Sequence, residues 1–346
     1  MTAAQLGVLC ACVVLFVPMG MAGWHLSRNK VLFFSGALFI TLAVGVHIAP
    51  YFPAASHLIF PSLSPYYSSS PPFRSSSCLS FLHDVSFFPS HAPSSFDWLR
   101  FRSRPADCDF QKLSRSDVGE LLNGSWIIVA GDSQARFFVL ALLRLLLEPS
   151  SLEAIQGDLF RRHSDYHIHI SDQGVKLDFL WSPFESNITS VLRQLRSVSR
   201  LPELLVAGSG LWHMLHVNNA SDYGEALTSL RRSGASLVSP FSSGLVMQPP
   251  HMFWLGMPKL MNSMLNTEEK KERLTNVIWE SYCQKVDYSG ILTQSGGPFL
   301  LLDIGSLSRI CGQKCTTDGM HYEGLVYETA LQIMLNALLI ESQQRI

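Results

Sequence analysis

Charged residues are scarce in this sequence. Asp, Glu, Lys and Arg together make up 15% of its 346 residues, whereas they make up about 25% of a typical soluble domain. The formal net charge at pH 7 is only −1, and no basic block lies beyond residue 51. We therefore expect no nucleic-acid partner, because proteins that bind nucleic acid present clustered Lys and Arg side chains to the phosphates.

The missing charge is concentrated in two apolar runs near the N-terminus. Ala3 to Gly23 contains no charged residue, and in Val31 to Tyr51 the one side chain that could carry a charge near neutral pH is His47. Each run has the roughly 20 residues that a membrane-spanning helix needs. Arg28 and Lys30 lie between the runs, and the positive-inside rule places such a loop in the cytosol. The sequence predicts a transmembrane helical hairpin over residues 1–51, with the remainder lumenal or extracellular. A cleaved signal peptide is the alternative for the first run, although it lacks a positive n-region.

Three N-x-S/T sequons support a lumenal location for the rest of the chain. They begin at Asn123, Asn187 and Asn219, and none precedes the apolar runs. Because N-glycans are attached in the lumen of the secretory pathway, all three asparagines are predicted glycosylation sites.

The cysteines fit the same compartment. Five of the seven lie beyond the predicted anchor: Cys78, Cys108, Cys283, Cys311 and Cys315. Disulfides persist in the lumen, and the odd number leaves one thiol unpaired. Cys311 and Cys315 are spaced like half of a zinc site, but no second pair follows, so we expect a disulfide there. Cys78 and Cys108 are the candidates for a second disulfide, and no metal site is predicted.

The remaining chain divides into a stem and one domain. Residues 52–77 are rich in Ser and Pro and have no helical or strand period, which is typical of an extended spacer. From residue 78 to residue 346, strand-like runs alternate with helical patterns, and no internal repeat is present. The strand-like runs are WIIVA, KLDFLW, ELLVAGSG, LVMQPPHMFWLG and FLLLDIG. This alternation predicts a three-layer αβα domain with a mostly parallel sheet.

The first of these runs ends in Gly131, Asp132 and Ser133. Ligands of such sheets bind beyond the carboxyl ends of the strands, and a serine that enters a helix there lies near free N–H groups. Serine needs a base, and the base needs an orienting partner. Asp318 and His321 in TTDGMHYEG supply both. The alternative is an N-cap aspartate followed by a surface histidine.

Several motifs in order resemble the PC-esterase branch of the SGNH/GDSL hydrolase superfamily. They are GDSQAR with Arg136, the upstream FDWLRFRSRPADCDF with Trp98 and Cys108, LDFLWSPF, GLWHM and the late D-x-x-H. This branch includes the plant trichome-birefringence-like polysaccharide O-acetyltransferases and the lumenal domain of the sialic acid O-acetyltransferase. Within it, the chain is most similar to the altered-xyloglucan type, which implies a role in acetylation of wall polysaccharide in the Golgi.

The oxyanion hole departs from the superfamily pattern. The third block reads GSGLWHML and lacks the asparagine of G-x-N-D. The N–H of Ser133 and Gly210 are the candidate donors, with Arg136 or an N–H near Gly208 as substitutes. Arg136 is either a substrate contact or one half of a buried ion pair.

Other aromatic and histidine side chains near these motifs have two readings. Trp181 and Trp212 either stack on sugar rings or belong to the core. His213 and His216 are either bases or metal ligands, or part of a pocket wall or the core, and the second interpretation is favoured since no Asp or Glu stands at ligand spacing.

These observations predict that Ser133 carries an acetyl group, with His321 as the base and Asp318 as its partner. Transfer to a glycan hydroxyl would make the protein an O-acetyltransferase, and transfer to water would make it an esterase. A non-catalytic partner of a multi-pass acetyl transporter is a third hypothesis. The expected location is the Golgi membrane with a lumenal catalytic domain, without a bound cofactor. The acetyl donor is not identified by the sequence.

Overall fold

The structure, a computed structural model, describes residues 87–89, 96–98, 112–238, 248–322 and 324–344. The predicted membrane hairpin, the stem, Cys78 and Cys108 lie outside this part of the chain. Within it, no helix combines the length and the apolar character needed to cross a bilayer.

A six-stranded sheet forms the centre of the described domain, in the order β4-β5-β3-β6-β7-β8. All neighbours are parallel except β4, which pairs antiparallel with β5 at one edge. The strands are β3 Trp126–Gly131, β4 Tyr166–Ile170, β5 Val175–Trp181, β6 Leu204–Gly208, β7 His251–Leu255 and β8 Leu300–Leu302. Two short upstream strands, β1 Phe87–Pro89 and β2 Phe96–Trp98, form an antiparallel pair.

Helices cover both faces of the sheet, which confirms the predicted three-layer arrangement. Their bounds are α1 Arg115–Leu121, α2 Ser133–Leu146, α3 Pro149–Leu159, α4 Glu185–Leu195, α5 Leu211–His216, α6 Ala220–Val238, α7 Glu268–Arg273, α8 Asn276–Tyr288, α9 Ile304–Cys311 and α10 Gly324–Gln344. Helices α2 and α10 pack in one core layer, and α4, α6 and α8 pack in the other.

The sequence of the central strand β3 is almost uniformly apolar because both faces of the strand are buried. Ile127 and Val129 face the layer of α2 and α10, whereas Ile128 and Ala130 face the layer of α4 and α6. Successive side chains of a strand point to opposite faces, so a strand buried on both faces has no polar positions to spare. Polar side chains begin only after the carboxyl end of β3, with Asp132 and Ser133.

Two features differ from the sequence pattern. The run EEKKERLTNVIWESYCQKV forms two helices rather than one, because Thr267 caps α7 and Thr275 caps α8 through their side-chain oxygens. The antiparallel edge strand β4 was not anticipated, although its alternation of exposed His167 and His169 with more buried neighbours is typical of an edge strand.

Two glycines let three strands approach closely where the sheet meets Ser133. A Cβ added at Gly131 would lie 2.6 Å from the Gly208 carbonyl oxygen, and one added at Gly208 would lie 2.7 Å from the Leu255 carbonyl oxygen. Both distances are far shorter than a van der Waals contact. The backbone that delivers the serine therefore depends on the absence of side chains at these positions.

We predict that Gly131→Ala lowers the free energy of unfolding by about 1–3 kcal/mol, because the added methyl group meets fixed backbone. Gly157→Ala is the matched control, since a Cβ there meets nothing within 4 Å on the exposed face of α3. The control should gain about 0.5–1 kcal/mol from helix propensity. Chemical denaturation measures both, and equal values for the two variants would contradict the close-packing argument.

Candidate active site

Ser133 is the first residue of α2, directly after the carboxyl end of β3. The preceding Asp132 caps the helix, and its Oδ1 accepts the Gln134 N–H at 2.9 Å. The first N–H groups of a helix have no intrahelical acceptor, and no hydrogen bond of the described residues uses the Ser133 N–H. Ser133 is half-buried, so its hydroxyl and N–H lie together at the positive end of the helix.

The structure brings Asp318 and His321 to this hydroxyl. Ser133 Oγ and His321 Nε2 are 2.7 Å apart, although 188 residues separate them in the chain. His321 Nδ1 lies 2.6 Å from Asp318 Oδ2. The three side chains thus form a continuous hydrogen-bonded chain in the order that nucleophilic catalysis by serine requires.

Asp318 orients the imidazole and does not cap α10, which begins only at Gly324. Its Oδ1 accepts the N–H groups of Met320 at 3.0 Å and His321 at 2.8 Å. Burial alone would raise the pKa of Asp318, but the hydrogen bonds from the His321 ring and these N–H groups outweigh burial and hold the pKa well below its usual range. The carboxylate therefore stays ionised and favours a proton on His321 Nδ1.

Gln134 ties the histidine loop to the helix of the serine, a role that the sequence analysis missed. Its Nε2 donates to the Met320 carbonyl oxygen at 3.1 Å, and its Oε1 accepts the Tyr327 hydroxyl. Phe137 packs on both His321 and Tyr327, with ring centroids 5.5 and 5.8 Å apart. The only sequence signal was the position of Gln134 next to the serine.

The same loop is fixed from its other side. Gly319 has a φ of 78°, and its carbonyl oxygen accepts the Met261 N–H at 2.8 Å. A side chain would be strained there, because the left-handed region favours glycine. Just upstream, Cys311 and Cys315 form a disulfide, in agreement with the sequence expectation. The loop is thus anchored at both ends before it reaches Ser133.

Gly210 lies at the same edge of the sheet, between β6 and α5. Its φ of 129° is accessible mainly to glycine, and an added Cβ would lie 2.4 Å from Met257 Sδ. Both the conformation and the close approach of Met257 favour glycine at this position. Its use as an oxyanion donor stays a prediction.

Two buried carboxyl groups lie beneath this edge, and neither was found by sequence reasoning. Asp132 is 2% exposed and Glu185 is 1% exposed. Burial raises the pKa of Asp132 to about 6 and that of Glu185 to about 7. The hydroxyl of the nearby Ser209 lowers the pKa of Glu185, but burial outweighs this effect. From the sequence alone, Glu185 at the start of α4 would be expected to be exposed to solvent. It becomes buried only in the folded domain.

Arg136 is a buried cation without an acid. It forms no ion pair with any described residue; one guanidinium nitrogen donates to the Ser164 carbonyl oxygen at 3.3 Å. The guanidinium lies over the rings of Phe179 and Trp181, at 5.2 and 4.9 Å from their centroids. The ion-pair alternative is therefore not observed in this part of the chain, and cation–π contacts hold the side chain instead.

Trp181 and Trp212 are half-buried, and Trp181 also packs against the core layer of α2 and α10. The two indoles meet in a group of rings that we term the aromatic cluster: Trp181, Trp212, His163, His216 and Phe184. The two indole centroids are 5.5 Å apart with nearly perpendicular planes. The exposed His163 stacks on Trp181 at 5.0 Å, and the exposed His216 lies 4.6 Å from Trp212. The cluster follows β5 and β6, the strands that flank β3.

The other predicted residues are spread over the domain. His213 is buried, and its Nδ1 lies 2.9 Å from the Tyr282 hydroxyl, as expected of a core histidine. No group of three metal-ligating side chains occurs among the described residues. Cys283 is a half-buried free thiol. The sequon asparagines Asn123, Asn187 and Asn219 are all exposed, and their glycosylation stays a prediction.

The relatives of the chain identify its family. No family model matches the sequence. The chain is 46% identical over 368 aligned residues to Protein ALTERED XYLOGLUCAN 9 of Arabidopsis thaliana, with 99% of each chain covered. The chain belongs to the altered-xyloglucan family. This membership confirms the resemblance to the PC-esterase branch that GDSQAR and the late D-x-x-H indicated.

Solved structures are only distantly similar to this member of the altered-xyloglucan family. TesA is 14% identical with a TM-score of 0.35, covering 63% of this chain and 98% of its own. A mutant acetyl-xylooligosaccharide esterase from Geobacillus stearmophilus is 10% identical with a TM-score of 0.33, covering 65% and 95%. Scores this low support no inference about function.

We predict that Glu185 makes stability fall as pH rises. Its pKa is raised to about 7 in the folded chain from an ordinary value of 4.5, so the folded state holds a proton that the unfolded state releases between these values. The free energy of unfolding should therefore drop between about pH 4.5 and 7, by about 3 kcal/mol for this group.

Glu185→Gln tests this directly, because the amide keeps the shape and cannot ionise. Denaturation midpoints at pH 5, 6, 7 and 8 should decline less steeply for the variant than for the parent chain. Parallel pH profiles would show that Glu185 ionises freely and that its burial has no electrostatic cost.

Proposed function

We propose that the protein is an O-acetyltransferase that moves an acetyl group through Ser133 to a hydroxyl of a polysaccharide or glycan. The observation that carries the proposal is the hydrogen-bonded chain from Ser133 Oγ through His321 to Asp318, at 2.7 and 2.6 Å. Membership of the altered-xyloglucan family supports the polysaccharide as acceptor, since the relative is named for xyloglucan.

In the first half-reaction, Ser133 Oγ attacks the acetyl carbonyl carbon of the donor. His321 Nε2 takes the hydroxyl proton, and the ionised Asp318 stabilises the imidazolium that forms. When the bond between the acetyl carbon and its leaving group breaks, His321 gives the proton to the leaving group. The products are an ester on Ser133 and a protonated leaving group, so charge and protons balance.

The second half-reaction reverses these roles. His321 removes a proton from the acceptor hydroxyl, whose oxygen attacks the ester carbon on Ser133. The serine oxygen leaves and recovers the proton from His321. If water replaces the sugar hydroxyl, the same side chains hydrolyse the ester, so the acetyl esterase is the alternative outcome of the same site.

The negative charge on the carbonyl oxygen needs donors in both half-reactions. The unpaired Ser133 N–H at the start of α2 is the first donor, and the N–H of Gly210 at the neighbouring strand end is the second. Each donor of this kind is worth on the order of 100-fold in rate. The buried and conformationally fixed backbone at Gly210 suits this role, since preorganised donors need no rearrangement during the reaction.

The aromatic cluster is the proposed acceptor surface. Trp181 and Trp212 are half-exposed beside the strand end that carries Ser133, where flat rings can stack on the apolar face of a pyranose. In the structure the exposed imidazoles of His163 and His216 cover these indoles. Binding of a sugar would displace the imidazoles, and Arg136 under Trp181 would keep the indole in place.

The remaining parts of the proposal follow from the sequence. The catalytic domain would lie in the Golgi lumen, anchored by residues 1–51, glycosylated at its exposed sequons, and without a resident cofactor. An acetyl donor on the lumenal side requires a carrier or a multi-pass transporter as partner. If the protein were only a non-catalytic partner of this transporter, the hydrogen bonds from Ser133 through His321 to Asp318 would have no catalytic role.

We expect Ser133→Ala and His321→Gln to reduce acetyl transfer by on the order of 1,000-fold or more, because each removes a group that acts on the reacting atoms. The full-length chain is incubated with a small acetyl-ester donor and xyloglucan, xylan or mannan oligosaccharides, and mass spectrometry follows acetylated sugar and free acetate. Ser186→Ala and His169→Gln, both exposed, are the matched controls and should keep full activity.

Acetylated sugar lost in both site variants supports the transferase. Acetate without acetylated sugar would identify an esterase, and activity that survives both substitutions would exclude catalysis by this site.

We expect Trp212→Ala to raise KM for the oligosaccharide roughly 3- to 10-fold, because one aromatic contact with the sugar is lost. Hydrolysis of the acetyl donor without acceptor should stay nearly unchanged. Tyr288→Ala, which removes an aromatic side chain that is 85% exposed on α8, is the control. Steady-state kinetics with varied acceptor measure both. An unchanged acceptor KM in the Trp212 variant would remove the aromatic cluster from the acceptor site.

A further inference from the structure

A cavity lies between α4 and α6, away from Ser133. It has a volume of about 310 Å³ and is lined by three arginines and three serines: Arg193, Arg196, Arg232, Ser229, Ser233 and Ser236. None of these residues takes part in the chemistry proposed above. No lining residue carries a negative charge.

The sequence places these side chains together by helical spacing. Ser229, Arg232, Ser233 and Ser236 stand at positions i, i+3, i+4 and i+7 of α6, which form one stripe of a helix surface. Arg193 and Arg196 stand three residues apart at the end of α4. Since α4 and α6 pack against the same face of the sheet, the two stripes meet across the cavity.

The three arginines have no protein partner in the described residues. Within residues 112–238 and 248–322, neither an ion pair nor a side-chain hydrogen bond involves Arg193, Arg196 or Arg232. Other arginines at the surface do pair with acids, as Arg200 does with Glu203 and Arg273 with Glu269. Three neighbouring cations repel one another unless an anion is present, and no Asp or Glu of the described residues lines the cavity.

The helix dipole explains only part of this arrangement. Cations are favourable in the last turn of a helix, which accounts for Arg193 and Arg196 at the end of α4. It does not account for Arg232, which points into the same cavity from within α6. Its neighbour Arg231 lies on the same helix, is equally exposed and does not line the cavity.

The cavity lies toward the edge of the sheet opposite to Ser133. Helix α4 starts after the carboxyl end of β5 and ends before the amino end of β6, so its last turn is near the amino edge. Strand β6 has five residues, which at about 3.3 Å each separate the two edges by roughly 16 Å. A ligand in this cavity therefore does not contact the acetyl group on Ser133.

We propose that this cavity binds a phosphate ester. Guanidinium groups match the oxygens of a phosphate through paired, charge-assisted hydrogen bonds, and the hydroxyls of Ser229 and Ser233 add further donors. Three cations and a cavity of about 310 Å³ suit a doubly charged phosphate together with part of the molecule that bears it. Both a soluble phosphate ester and a phospholipid headgroup carry such a phosphate group.

The test is the binding of inorganic pyrophosphate to the full-length chain in neutral detergent, measured by isothermal titration calorimetry. The triple variant Arg193→Gln, Arg196→Gln, Arg232→Gln should bind at least tenfold more weakly. Arg231→Gln is the matched control and should bind like the parent chain. Ser133→Ala should also bind normally, so the test is independent of the proposed acetyl chemistry.

A second arm identifies the source of the phosphate. Micelles doped with phosphatidylinositol phosphate should displace pyrophosphate from the parent chain if the ligand is a lipid headgroup, and should leave pyrophosphate binding unchanged if it is a soluble ester. Equal pyrophosphate affinity for the triple variant and for Arg231→Gln, or no detectable binding to the parent chain, would overturn the proposal.

Discussion

The hydrogen bond between Ser133 Oγ and His321 Nε2 is the constraint on which the rest of the site depends. It joins the first and last βα segments of the domain over 188 residues, at 2.7 Å. A bond of this length requires the helix of the serine, the loop of the histidine and the sheet edge between them to hold fixed positions. The paired glycines at the ends of β3 and β6, the Gln134 bridge and the anchored Asp318 turn each supply one part of that fixation.

The sequence predicted the elements that obey local rules. The strand-like runs, the helical patterns after them and the position of GDS at a strand end gave the αβα fold, and the D-x-x-H spacing located the partners of Ser133. It could not predict interactions that only tertiary packing creates. The Gln134 contacts span separate segments, Glu185 becomes buried only when α4 docks on the sheet, and Arg136 meets aromatic rings where an acid was equally plausible.

The neighbourhood of Ser133 separates two aspects of the chemistry. In the proposed chemistry, the hydrogen-bonded chain is common to transfer and hydrolysis, since both would pass through an ester on the serine. What distinguishes them is whether a sugar hydroxyl or water reaches that ester. The aromatic cluster, with its indoles covered by exposed imidazoles, is the part of the described surface suited to that choice. The arginine-lined cavity lies near the opposite edge, away from these residues, and is the proposed phosphate site.

The most direct measurement is the acetyl ester on Ser133 itself. The full-length chain is mixed with an acetyl-ester donor, quenched in acid within milliseconds to seconds, digested, and the peptide that contains Ser133 is weighed with and without oligosaccharide. The account predicts one acetyl group on Ser133 that accumulates without acceptor and disappears as acetylated sugar forms. Product formation with Ser133 never acetylated, or an acetyl group on another residue, would contradict it.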